Sequence, residues 1–85
     1  MANLMLYAKE KGDKRFGAVD MASGTFPVPL IFATIVPEAE MERLKQQASL
    51  LHRMNPDITF QIRYAGAAKV LFQTDDVAWT KKCFG

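Results

Sequence analysis

The spacing of apolar and polar residues changes several times along the chain, and each change marks an element. Ile58, Phe60, Ile62 and Tyr64 alternate with Thr59, Gln61 and Arg63. A period of two puts the first set on one side of a β-strand and the second on the other, so this segment predicts a strand with one buried and one wet face. Leu4 to Lys9 and Phe16 to Met21 are apolar stretches separated by Lys9-Glu10-Lys11-Gly12-Asp13-Lys14-Arg15. That arrangement predicts a β-hairpin turning near Gly12, which tolerates positive φ. Ala22-Ser23-Gly24-Thr25 marks the next turn. In Phe26-Pro27-Val28-Pro29 the two prolines lack an N–H for a ladder, so this piece belongs at an edge or outside the sheet.

Leu30 to Val36 is a continuous apolar run bounded by Pro29 and Pro37, a pattern that predicts a central strand buried on both faces. Beyond Pro37 the period lengthens. Met41, Leu44, Ala48 and Leu51 recur at three- and four-residue steps, predicting a helix from about Glu38 to about Met54. Glu38, Glu40 and Glu42 complement the positive end of its dipole, His52 and Arg53 the negative end, and Asn55-Pro56 stops it. After the small-residue turn Ala65-Gly66-Ala67-Ala68, the segment Lys69 to Thr74 predicts a fifth strand. Thr74-Asp75-Asp76 is a plausible cap for a short final helix through Val77, Trp79 and Phe84.

The expected fold is therefore α+β: a two-layer domain over residues 1–85, with a small mixed β-sheet in the order ββ-β-α-β-β and one main helix packed on one face. The sheet is expected to be mixed because a strand, a helix and a strand joined by short loops return parallel.

Composition narrows the functional classes. With 85 residues, 49% hydrophobic and 24% charged, the chain is a small globular domain near the lower size limit for independent folding. A net charge of +2 excludes a strongly charged polyelectrolyte binder. No window approaches the length of a membrane span, and the N-terminal segment lacks the basic start of a secretion signal. The single cysteine, Cys83, closes no intramolecular disulfide and suits a reducing, cytoplasmic setting.

Candidate chemistry is sparse. His52 is the sole histidine and sits in the last turn of the predicted helix, where a solvated imidazole complementing the helix end is the simpler reading. One His and one Cys do not make a metal site, and no glycine-rich phosphate loop occurs, so no cofactor, metal or catalytic residue is expected. What remains is surface. Leu4 to Tyr7 and Leu30 to Val36 are apolar on both sides, more than one helix covers, which favours a non-catalytic protein-interaction module that self-associates as a homodimer. The alternative is a single-stranded nucleic-acid-binding sheet face. Its candidate residues are Tyr7, Lys9, Lys14, Arg15 and Arg63, cations for phosphates and an outward ring for stacking.

Overall fold

The computed structural model describes residues 2–74. The expected final helix and Cys83 lie outside the described residues. The elements in chain order are β1 (Asn3–Glu10), β2 (Gly17–Ala18), a 3-10 turn (Leu30–Phe32), β3 (Ile35–Pro37), a second 3-10 turn (Glu38–Glu40), α1 (Met41–Met54), β4 (Ile58–Tyr64) and β5 (Val70–Gln73). The helix packs with one five-stranded sheet, giving the two-layer α+β architecture expected.

The long strand β1 is the axis of the sheet. One edge pairs with β4 along its whole length, from Leu4 opposite Tyr64 to Glu10 opposite Ile58. The other edge is shared: β3 takes Asn3 to Met5, and β2 takes Tyr7 and Ala8. Beyond β4 lies β5, with Ile62 opposite Phe72 and a bulge that shifts the next pairing to Arg63 and Val70. Every pairing is antiparallel, which corrects the mixed sheet. Both β3 and β4 run against β1, so they are parallel to each other, as the short connections through α1 require. They never touch as neighbours because β1, which carries apolar side chains on both faces, lies between them as in a split β-α-β unit.

The run from Leu30 to Val36 departs furthest from its pattern. It is not a buried central strand. Leu30, Ile31 and Phe32 form a 3-10 turn and are 61%, 85% and 62% exposed, and only Ile35 to Pro37 reach the sheet, at its edge. The backbone shows why: Phe32 and Ala33 donate to Pro29 and Leu30, closing the turn on itself. Thr34 then anchors the chain by donating to the Val19 carbonyl, while its hydroxyl accepts from the Met21 amide at 2.8 Å. A continuous apolar run carries no period, so it does not say which of its residues meet the core.

The helix begins after the Glu38–Glu40 turn, close to where charge and proline placed it. Leu44 and Ala48 are buried against Leu4, Leu6, Ala8, Val19, Phe60, Ile62 and Phe72. Burying a Leu or Ile side chain is worth about 1.5–3 kcal/mol, so Leu4, Leu6 and Ile62, each at or below 1% exposure, are the main apolar contributors to the sheet centre. His52 is half-buried rather than solvated. Its Nδ1–H donates to the Ile58 carbonyl at 2.6 Å and clips the end of α1 to the start of β4.

A second clip joins the other end of β4 to the turn before α1, where the Tyr64 hydroxyl donates to the Glu38 carboxylate. The bond to Glu38 and its negative charge both disfavour the phenolate, so the Tyr64 pKa is raised above its ordinary value near 10.0. A raised folded-state value means the contribution of this bond is present below about pH 10 and is lost as pH climbs through the higher folded value. In a Tyr7→Phe background, ultraviolet titration will place Tyr64 above a free tyrosine. Adding Glu38→Gln will bring it down, whereas an unmoved midpoint would mean that the clip does not form.

Candidate functional site

The sheet side facing away from α1 is built by the alternate residues of β1 and β4. Because Leu4, Leu6 and Ala8 go to the core, Met5, Tyr7 and Lys9 go to the far side. The register sets Tyr7 opposite Gln61, Met5 opposite Arg63 and Lys9 opposite Thr59. Three of the five candidate residues thus converge. The Arg63 guanidinium lies 4.4 Å from the centroid of the Tyr7 ring and 5.7 Å from that of Phe16, and the Lys9 ammonium is 5.3 Å from the Phe16 centroid. Such cation–ring contacts are worth roughly 0.5–1 kcal/mol at exposed sites.

Hydrogen bonds hold the cluster from beneath. Arg63 donates through Nε and Nη2 to Gln61 Oε1 at 3.0 and 2.7 Å, and Gln61 Nε2 donates to Gln73 Oε1 at 2.6 Å. Thr59 and Gln61, expected on a wet face, are in fact buried at 8% and 6% exposure. No buried side-chain nitrogen or oxygen among the described residues lacks a partner. Among the described residues, no carboxylate lies within ion-pair distance of Lys9 or Arg63, whereas Glu40–Arg43 and Glu42–Lys45 form ion pairs on the helix side.

Lys14 and Arg15 remain exposed in the loop between β1 and β2 and make no ring or ion-pair contact with the cluster. Phe16, which immediately follows them, is the member that the apolar pattern hid. The apolar stretch from Phe16 to Met21 predicts a strand, but the strand is only Gly17–Ala18, and Phe16 precedes it and meets the two cations. The available signal was its place in the hairpin, two positions before the Ala18 that pairs with Tyr7.

The second distinctive surface is the exposed segment Leu30, Ile31, Phe32 and Ile35, the last at 50% exposure. The sheet's far face carries Met5, which is buried, and Tyr7 beside Lys9, Gln61, Arg63 and Gln73, so the exposed part of the apolar excess lies at the turn beside edge strand β3. A cleft of about 320 Å³ between α1 and the loop after β2 is lined by Val19, Met21, Phe26, Leu51 and Phe60, with no titratable group among its walls. No cluster of three His, Cys, Asp or Glu side chains gathers among the described residues. No helix among them is long and apolar enough to cross a membrane.

No protein-family model, curated protein or solved structure matches this chain.

Proposed function

We propose that this chain is a non-catalytic protein-interaction module that self-associates as a homodimer through Leu30, Ile31, Phe32 and Ile35. The observation that carries the reading is the exposure of these four large apolar side chains within six positions, between 50% and 85% each. Apolar area left in water forgoes about 25 cal/mol per Å², and a contiguous patch of it usually marks a contact surface.

A second copy is the occupant that the composition favours. From Met21 to Pro37 there is no charged residue. A symmetric pair brings the same patch against itself, and here identical surfaces meet without like-charge repulsion. Among the described residues the adjoining strand β3 pairs with β1 alone, which leaves a second strand edge for the same neighbour to meet. The lone Cys83 favours a reducing, cytoplasmic setting for such a module.

Sedimentation equilibrium at micromolar concentration will return about twice the 9.5 kDa monomer mass. Ile31→Asp will return the monomer mass while leaving the thermal midpoint of the monomer in place, because Ile31 is 85% exposed and contributes little to the core. A wild-type chain that stays monomeric under the same conditions would remove the proposal.

A further inference from the structure

We propose a second surface, independent of the association patch: the sheet face bearing Tyr7, Lys9, Phe16 and Arg63 binds single-stranded nucleic acid. The cations take backbone phosphates and the rings take unpaired bases.

Charge is the first argument. Lys9 and Arg63 face rings instead of carboxylates, so their charge has no anionic partner within the described residues. Lys14 and Arg15 extend the cationic path onto the β1–β2 loop, and Lys11 extends it into an adjoining groove shared with Lys9, Thr59 and Asp57. Among the described residues, Glu10, Asp13 and Asp57 are the acids on β1, its hairpin loop and the turn before β4, fewer than the five cations Lys9, Lys11, Lys14, Arg15 and Arg63. A row of cations matches a linear chain of phosphates better than it matches a single carboxylate.

Preorganisation is the second. The Arg63 guanidinium is held by two bonds to Gln61, itself bonded to Gln73, and lies over Tyr7. Binding therefore costs little ordering of this side chain. Tyr7, Phe16 and Arg63 are each half-buried, so a guanidinium plane and neighbouring rings stay partly accessible, a stacking surface that accepts any base. Duplex DNA offers its phosphates but keeps its bases stacked inside, so the rings select the single strand.

The test is fluorescence anisotropy of the full chain with a labelled oligothymidylate, the matching duplex and polyglutamate as probes. The single strand is expected to bind most tightly, with log K falling against log salt at a slope of about −0.7 for each phosphate neutralised. Arg63→Glu and Phe16→Ala should each weaken it roughly tenfold or more. The exposed pair Lys14→Glu and Arg15→Glu should weaken it without touching the core, which keeps the test valid if Arg63→Glu unfolds the domain. Ile31→Asp should leave the affinity unchanged. Absence of salt-dependent binding, equal affinity for duplex or polyglutamate, or an unaffected Phe16→Ala variant would each overturn the proposal.

Discussion

Replacing Ile62 by alanine is expected to lower the free energy of unfolding by about 3–5 kcal/mol, a loss that takes most of the stability of a domain this small. Ile62 has no exposure, sits in the middle of β4, and pairs with Leu6 on one side and Phe72 on the other. Truncation leaves a void between three strands and α1 that the flanking ladders prevent from collapsing, so a cavity term adds to the lost transfer energy. Ile62→Val, which removes one methylene, should cost only about 1 kcal/mol. The informative comparison is Ile31→Ala, expected to stay within about 0.5 kcal/mol of the parent monomer because Ile31 is 85% exposed. Urea unfolding of the three variants, at concentrations where the chain is monomeric, checks all of this. A large loss at Ile31 would mean that Leu30 to Val36 is a buried strand after all.

Gly17→Ala is the second large effect, expected to cost about 1–3 kcal/mol or more by overpacking. A Cβ at this position would stand 2.3 Å from the Pro27 Cβ and 2.8 Å from its Cα, so backbone as well as side chain must shift. The contact matters because the segment after β2 folds back over it: Val28 donates to the Ala18 carbonyl beside Gly17. Loss of this approach would loosen β2 and, through Phe16 next to it, the ring and cation cluster. Pro27→Gly removes one of the two atoms in the clash. In a double-mutant cycle it should recover part of the Gly17→Ala loss, with a coupling of at least about 0.5 kcal/mol. Strictly additive losses would show that the two residues do not meet.

The two elements whose bounds follow most closely from the sequence share one property: a period. Strand β4 was predicted over Ile58 to Tyr64 and is found there. The helix differs only in its first turn, Glu38 to Glu40, which is 3-10. Period also placed Arg63 on the side opposite the helix, and with Tyr7 and Lys9 on alternate positions of β1 three members of the site were legible. Phe16 was not, because an aromatic residue at the end of a loop looks the same whether it enters the core or meets a cation. Nor was the burial of Gln61, whose amide is satisfied by Arg63 two residues along the same strand and by Gln73, which stands opposite it only once β5 pairs with β4.

The sequence by itself determined the α+β class, the helix, the hairpin and the alternation that separates the two sides of β4, since these follow from local spacing and turn chemistry. Tertiary structure alone decided that β1 lies between β3 and β4, and that the apolar run at Leu30 to Phe32 faces solvent. The reason is competition for partners: each ladder edge accepts one neighbour at a time, and β1 and its hairpin occupy the places that the run from Leu30 would have needed.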